Sequence, residues 1–196
     1  VFTVIFCFLV DKLTETPHTR TVRCVLLYIP TLHKGMVSKE VDFMYPYEFD
    51  IHTHTIASGH GSHATITDMA KAAQAKGLRM LGISDHGPGT LGGGRVSYFR
   101  SLAHARQERL GVRMLYGAEV NILDNRGTLD LDDEILSQLD YVIASMHMPV
   151  KKPGTIEENT AAYIEAMKNP YVTVIGHCDD TRYPVDYLAL MKAAME

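Results

Sequence analysis

Short apolar runs alternate with amphipathic stretches along most of the chain, beginning near Tyr47. Each apolar run has the length of a buried β-strand, and each following stretch repeats its apolar residues at helical spacing. The predicted strands are Glu48–Ile51, Met80–Ser84, Val112–Gly117, Tyr141–Ser145 and Val172–Gly176. The predicted helices are Thr67–Lys76, Ser97–Leu110, Asp132–Gln138, Ile156–Lys168 and Val185–Ala194. Repeated strand-then-helix units predict a parallel sheet with helices outside it, either a barrel or an open doubly wound sheet.

Two of the predicted helices carry a start signal. Thr65 stands three residues before Asp68, and Thr155 stands three residues before Glu158. This is the spacing of a capping box, in which a threonine hydroxyl and a carboxylate each accept a backbone N–H of the first turn. We therefore expect helices to begin at these two points.

Residues 1–43 have a different character. Val1–Val10 is an apolar run that is shorter than the roughly 20 residues needed to span a bilayer, and it lacks the basic region and cleavage site of a signal peptide. Met44 opens a segment, MYPYEFDIHTHT, that would make a natural start. We therefore divide the chain into an N-terminal extension of residues 1–43, outside the functional fold, and a domain of residues 44–196. The alternative is an additional strand, because VFTVIF has strong β propensity.

Composition and charge narrow the class of protein. Of the 196 residues, 46% are hydrophobic and 21% are charged, which is typical of a soluble globular protein. A net charge of −4 provides no general positive field, so we expect no membrane partner and disfavour nucleic acid. The three cysteines are widely spaced and form no CxxC pair. Their pattern indicates a reducing compartment and hence a cytoplasmic location.

Histidines and one glutamate recur where the predicted strands end. His52 and His54 follow the first strand and, being two residues apart on an extended chain, point to the same face. His60 follows in a loop of glycine and serine that can fold back. The residues that follow the next four strands are His86, Glu119, His147 and His177. Because the carboxyl ends of the strands in a βα barrel meet at one mouth, we expect these side chains to converge on one metal site.

The chemistry of these ligands limits the choice of metal. Imidazole and carboxylate groups without thiolate suit zinc, manganese or iron, and we favour zinc. Seven candidates are too many for one tetrahedral ion, and a carboxylate such as Glu119 can bridge two ions. The sequence therefore predicts two or three divalent metal ions as cofactors. Clustered ions polarise a phosphoryl oxygen and lower the pKa of a bound water to about 7, which indicates phosphoester hydrolysis. His63 and His104 are interpreted instead as exposed side chains.

Taken in order, the motifs DIHTHT, SDHG, GAEVNI, ASMH and GHCDD resemble the successive metal-binding motifs of the PHP (polymerase and histidinol phosphatase) family. The resemblance covers residues 44–196 and is strongest to the YcdX-type stand-alone phosphatases of that family. It implies an α/β fold, a distorted (β/α)7 TIM-like barrel, with a trinuclear metal cluster.

The resemblance also implies roles for individual residues. One ion would be held by His52, His54 and Glu119. A second ion would be held by Glu119, His147 and His177, which are also the proposed catalytic residues. A third ion would be held in part by His60 and His86.

The sequence departs from the family pattern in two places. The family normally places a late Asp–x–His motif on its last strand, and no such motif occurs before Glu196. We therefore expect an incomplete barrel, part of a longer gene product, in which Val172–Gly176 is an edge strand unless another segment covers it. The loop after His86 reads GPGTLGGGRVSYF, which is rich in glycine where many relatives carry bulkier residues and further histidines.

The leading hypothesis is a metal-dependent phosphatase that hydrolyses small phosphomonoesters. Arg95 and Arg182 follow predicted strands and are the candidates to bind the substrate phosphate, with Lys151 and Lys152 as further possibilities. A PHP-type phosphodiesterase or exonuclease acting on nucleic acid is the runner-up, although no basic, aromatic-interleaved stretch supports it. Histidinol phosphatase and a binding module without turnover are further alternatives. The oligomeric state is left open.

Overall fold

The computed structural model describes residues 48–59 and 61–195, together with the strands Val4–Cys7 and Val25–Leu26. The strands are β1 (Val4–Cys7), β2 (Val25–Leu26), β3 (Phe49–Asp50), β4 (Met80–Ile83), β5 (Glu108–Arg109), β6 (Val112–Asn121), β7 (Tyr141–Ser145) and β8 (Val174–Ile175). The helices are α1 (Ile66–Ala75), α2 (Val96–Leu102), α3 (Asp133–Leu136), α4 (Ile156–Met167) and α5 (Tyr187–Ala194), and Ile56–Ser58 forms a single 3-10 turn. None of the described helices has both the length and the apolar character needed to cross a bilayer.

The described strands form one sheet in the order β2-β1-β8-β7-β6-β4-β3, with β5 paired to β6. Every pairing along the path from β1 through β8, β7, β6 and β4 to β3 is parallel. The sheet curls into a half-barrel, and the main apolar core lies between it and the helices. The expected α/β fold with a parallel sheet is therefore confirmed.

Both predicted capping boxes are present. Thr65 Oγ1 accepts the N–H of Asp68 at 3.2 Å, and Asp68 Oδ2 accepts the N–H of Thr65 at 3.1 Å. Thr155 and Glu158 form the same reciprocal pair at the start of α4. These local signals fix where the helices begin because they satisfy N–H groups that have no partner inside the helix.

The inner face of the curled sheet is crossed by one long side chain. Tyr141 belongs to β7, and its hydroxyl donates to the carbonyl oxygen of Ile51, just after β3, at 2.7 Å. The strands between β7 and β3, which are β6 and β4, have glycine at the positions that the Tyr141 ring crosses. A Cβ at Gly117 of β6 would lie 2.7 Å from Tyr141 Cε1, and a Cβ at Gly82 of β4 would lie 2.5 Å from the Tyr141 hydroxyl oxygen. Tyr141 therefore ties β7 to the end of β3 because the intervening positions have no side chain.

Two elements differ from the sequence prediction. The helix predicted over Ser97–Leu110 ends at Leu102, and Glu108–Arg109 instead pairs antiparallel with the start of β6. Leu110 and Gly111 both have positive φ, at 55° and 75°, so the chain reverses there and cannot continue a helix. The third predicted strand extends beyond Gly117 to Asn121, which places Glu119 inside β6.

The N-terminal strand covers the edge that was expected at Val172–Gly176. Val4 and Ile5 of β1 pair in parallel with Val174 and Ile175 of β8. The alternative interpretation of VFTVIF as a strand therefore matches the structure at Val4–Cys7. Apart from β1 and β2, residues 1–43 lie outside the described residues, and the boundary at residue 44 stays a prediction.

Candidate metal centre

Glu119 lies fully buried near the carboxyl end of the sheet, with imidazoles on both of its oxygens. Its Oε2 is 3.1 Å from His52 Nε2, 3.3 Å from His54 Nε2 and 3.0 Å from His86 Nδ1. His52 and His54 follow β3, and His86 follows β4, as the sequence predicted. Three ring nitrogens from two strand ends therefore surround one carboxylate oxygen.

The other oxygen of Glu119 lies close to two further imidazoles. Oε1 is 3.1 Å from His147 Nε2 and 2.9 Å from His177 Nε2. These histidines follow β7 and β8. The expected convergence therefore holds for five histidines and Glu119, although Glu119 lies within β6 and not after it.

Backbone hydrogen bonds align Glu119 with His86, which lies in the loop after β4. The N–H of Glu119 donates to the carbonyl oxygen of Asp85 at 3.0 Å, and the N–H of Gly87 donates to the carbonyl oxygen of Glu119 at 2.9 Å. His86 lies between these two bonds and forms an isolated parallel bridge with Glu119. The imidazole and the carboxylate are thus brought to the same level by the backbone itself.

His54 is oriented by a hydroxyl. Ser58 Oγ donates to Asp85 Oδ1 at 2.7 Å and accepts the N–H of His86 at 3.0 Å. The same oxygen is 3.0 Å from His54 Nδ1. A serine hydroxyl has one proton, and here it goes to the carboxylate, so His54 Nδ1 must carry the proton of this contact. The lone pair of His54 is therefore on Nε2, which faces Glu119.

Asp85 is the centre of that network. It is fully buried and accepts from the N–H of Thr55 at 2.6 Å, from Thr55 Oγ1 at 2.8 Å, from Ser58 Oγ and from the Tyr98 hydroxyl. Burial and the adjacent Asp85 charge raise the pKa of Tyr98, which keeps its hydroxyl a donor. A single carboxylate thus fixes the turn that follows His54.

On the other side of the centre, Asn121 orients His147. Asn121 Oδ1 is 2.8 Å from His147 Nδ1, while His147 Nε2 faces Glu119. His177 is held differently. Its φ of 54° is in the left-handed region, which is uncommon for a residue other than glycine and costs of order 1 kcal/mol.

The charges in the cluster are coupled. Burial alone would raise the pKa of Glu119, but the surrounding imidazoles outweigh it and hold the pKa well below its usual value. Burial alone would lower the pKa of His177, but the bond to the Glu119 carboxylate outweighs it and raises the pKa. Glu119 is therefore an anion at neutral pH and attracts cations to this pocket.

The donor set fits divalent metal ions. Ligand atoms of His52, His54 and Glu119 lie within 4.8 Å of one another, and so do those of His86, Glu119 and His147. Within the described part of the chain, Glu119 Oε2 is buried yet receives no hydrogen bond of ordinary geometry. A buried carboxylate oxygen in that situation is costly unless a cation completes it. Imidazole nitrogen and carboxylate oxygen are ligands suited to zinc, manganese or iron.

The remaining candidates are placed less centrally. His60 lies outside the described residues, so its ligand role stays a prediction. Arg95 is exposed just before α2, and Arg182 is exposed and paired with Asp180, with Nη2 2.6 Å from Oδ2. Lys151 is buried, and its burial lowers its pKa. The residues interpreted as exposed, His63 and His104, are exposed.

Sequence reasoning did not identify the residues that orient the imidazoles. These are Ser58, Asp85 and Asn121. Asp85 and Asn121 stand beside or near predicted ligands, in SDHG and AEVNI, and that proximity was the available signal. Serine, aspartate and asparagine are also common turn residues, so their positions alone did not indicate a role at the centre.

Known proteins resemble this chain over the part that carries the cluster. The PHP domain family matches residues 50–195. A probable phosphatase of Clostridium novyi is 45% identical over 150 residues, which cover 76% of this chain and 61% of the relative. A probable phosphatase of Acetivibrio thermocellus is 44% identical over 147 residues, covering 75% and 61%, and one of a Thermoanaerobacter species is 47% identical over 148 residues, covering 75% and 60%. The chain therefore spans about three fifths of the length of these curated relatives.

Proposed function

The chain belongs to the PHP domain family, and on that premise we propose that it is a metal-dependent phosphatase that hydrolyses small phosphomonoesters. The observation that carries this proposal is the convergence of five imidazoles on the two oxygens of Glu119, which is fully buried. The similarity to probable phosphatases supports the same reaction class.

Two or three divalent ions are proposed for the centre, with zinc favoured over manganese and iron. His52, His54 and Glu119 hold one ion. Glu119, His147 and His177 hold a second. His86 and His60 contribute to a third, although His86 also lies close enough to Glu119 and His147 to share theirs. Ions bound there would polarise a phosphoryl oxygen and lower the pKa of a bound water to about 7.

The protein groups have distinct parts in this proposal. Glu119 supplies one negative charge to both sides of the centre because its two oxygens face different sets of imidazoles. His54 and His147 keep their protons on Nδ1, so that Nε2 is the nitrogen directed at the pocket. His177 is the most exposed of the five imidazoles and therefore lies nearest the solvent side, where a substrate would enter.

Arg95 is the stronger candidate to bind the substrate phosphate. Among the described residues it makes no ion pair, and its charge is therefore available. Arg182 would first have to release Asp180, to which it makes a bidentate pair with Nε and Nη2. We propose Arg95 as the main phosphate ligand and Arg182 as a secondary one.

The proposal extends to the fold. We propose that the curled sheet is part of a distorted (β/α)7 barrel. The support is that β3, β4, β6, β7 and β8 are joined by parallel pairings. The described histidine ligands follow the carboxyl ends of β3, β4, β7 and β8, and Glu119 lies near the carboxyl end of β6.

Metal analysis combined with a substrate panel tests the reaction. The purified chain should contain zinc, manganese or iron, and it should hydrolyse p-nitrophenyl phosphate faster than bis-p-nitrophenyl phosphate. A chelator should remove the activity, and one of the three metals should restore it. Activity that survives complete metal removal would contradict metal dependence, and preference for the diester would favour the phosphodiesterase alternative.

A further inference from the structure

A second carboxylate, Asp130, is linked to the imidazole cluster through Asn121. The chain after β6 folds back through a bridge between Ile122 and Leu129, which brings Asp130 beside the end of β6. Asp130 Oδ1 accepts the N–H of Asn121 at 2.9 Å, and Oδ2 accepts from Asn121 Nδ2 at 2.5 Å. One carboxylate thus holds both the backbone and the side-chain amide of Asn121.

This contact decides which way the buried amide of Asn121 points. A carboxylate accepts hydrogen bonds, so the NH₂ end of the amide faces Asp130 and the oxygen faces the other way. That oxygen accepts from Thr90 Oγ1 at 3.0 Å and is 2.8 Å from His147 Nδ1. An amide oxygen cannot donate, so His147 Nδ1 carries the proton. The lone pair of His147 is then on Nε2, 3.1 Å from Glu119 Oε1.

The same carboxylate holds the glycine-rich loop that follows His86. The N–H of Gly89 donates to Asp130 Oδ2 at 2.8 Å. A Cβ on Gly87 would lie 2.4 Å from Asp130 Oδ2, so a side chain at that position would displace the carboxylate. Thr90, which bonds Asn121, belongs to the same loop. Glycine in GPGTLGGG is therefore explained in part by the close approach of the loop to Asp130.

We propose that Asp130 is a positioning residue for the metal centre, acting through Asn121 on His147 and through the backbone N–H of Gly89 on the loop after His86. The inference rests on the proposed metal-binding function. Partners of this kind fix the tautomer and the ring orientation of a metal ligand, and their removal typically weakens metal binding by 10- to 100-fold. Asp130 itself contacts neither substrate nor ion in this account.

The test compares Asp130→Asn with Asp124→Asn. Asp124 lies on the same segment and accepts from Arg126 and Thr128, so it is a matched carboxylate that holds only a surface turn. Zinc affinity is measured by competition with a chromophoric chelator at constant pH. The tautomer of His147 is read from the ¹⁵N shifts of the histidine-labelled, metal-free chain, with His147→Gln used for assignment.

We expect Asp130→Asn to bind zinc about 10- to 100-fold more weakly at one site and to mix the tautomers of His147, because the Asn121 amide can then turn over. Asp124→Asn should match the wild-type chain in both measurements. In the double variant Asn121→Asp with Asp130→Asn, a carboxylate at position 121 replaces the amide oxygen as the acceptor from His147 Nδ1 and cannot turn over to present a donor, so most of the lost affinity should return. That variant also keeps the test decisive if Asp130→Asn alone folds poorly.

Wild-type zinc affinity in Asp130→Asn, or an unchanged His147 tautomer in it, would overturn the inference. So would a double variant that folds and binds zinc no better than Asp130→Asn. A wild-type chain that binds no zinc, manganese or iron would instead contradict the proposed function, so the two failures are distinguishable.

Discussion

The two halves of the proposed metal centre are built differently around one carboxylate. The closed half, on the Oε2 side of Glu119, consists of His52, His54 and His86, and the open half, on the Oε1 side, consists of His147 and His177. In the closed half the side chains of His52, His54 and His86 are 8%, 18% and 9% exposed, and in the open half those of His147 and His177 are 15% and 37% exposed. Solvent therefore reaches the centre mainly beside His177, in the open half.

The two halves also differ in what holds their ligands. The closed half is fixed by Asp85 and Ser58, which lie within the segments that carry the histidines themselves. The open half depends on Asn121 and on a left-handed backbone at His177. The closed half is therefore held by a buried carboxylate network before any ion binds, whereas the open half contains the most exposed imidazole, His177. We therefore expect the ion of the closed half to bind more tightly, because less ordering accompanies its binding.

Removing the carboxylate that both halves share should have the largest effect. Glu119→Gln takes away a negative charge that both sets of imidazoles face, so both halves should lose metal and hydrolysis should fall by at least about 100-fold. Metal per chain and turnover of p-nitrophenyl phosphate measure this. The matched control is Glu134→Gln, an exposed carboxylate paired with Arg100. Full activity in Glu119→Gln would remove Glu119 from the centre.

A substitution at Asp85 should affect the closed half alone. Asp85→Asn leaves several buried donors competing for one acceptor, so the free energy of unfolding should fall by about 3 kcal/mol. The ion of the closed half should be lost while the open half still binds. Urea denaturation and metal content provide the two measurements. A variant with wild-type stability and metal content would show that the closed half is not organised by Asp85.

Substitution of the two arginines compares how much each half contributes to binding the substrate phosphate. Arg95 lies on the loop after the closed half, and Arg182 lies on the loop after the open half. Arg95→Ala should raise KM for a phosphomonoester about 10-fold, because a charge-assisted hydrogen bond contributes about 1.5 kcal/mol. Arg182→Ala should change KM less than about twofold, since its charge is already matched by Asp180. The reverse order in steady-state kinetics would place phosphate binding on the open half.

The smallest expected difference between the two halves is in how readily each loses its metal as the pH falls. The pKa of His177 is raised above its usual value of 6.5 by Glu119. In the metal-free chain its protonated form therefore adds stability fully below pH 6.5, and this contribution is lost as pH rises through the raised pKa. An ion requires the neutral imidazole, so protons should displace metal from the open half first as pH falls. Metal content measured after dialysis from pH 8 to 5 checks this, and simultaneous loss from both halves would contradict it.

Much of the fold was predictable because it depends on local pattern. The strands were found from short apolar runs, and the capping boxes located two helix starts. The helix predicted over Ser97–Leu110 failed because the charged stretch before Leu110 has good helix propensity, while the turn at Leu110 and Gly111 depends on pairing with β6. The pairing of β1 with β8 joins segments more than 160 residues apart, a contact that no local pattern reports.

In the candidate site, only the proposed metal ligands were predictable from the sequence. Histidines at strand ends carry a strong signal because that residue type is infrequent and the carboxyl ends of parallel strands meet. Asp130 gave no such signal, since TLDLDDE reads as an ordinary exposed acidic stretch. Its contacts with Asn121 and Gly89 exist only once the chain after β6 folds back. The orienting groups therefore required the structure.

The most direct test of the shared-carboxylate centre is to locate the ions. Crystals of the zinc-loaded protein, measured on both sides of the zinc absorption edge, give anomalous difference density at each bound ion. We expect one peak between Glu119 and His52 with His54, and a second between Glu119 and His147 with His177. Peaks that lie elsewhere, or a single peak that does not contact Glu119, would contradict a centre built on both oxygens of that carboxylate.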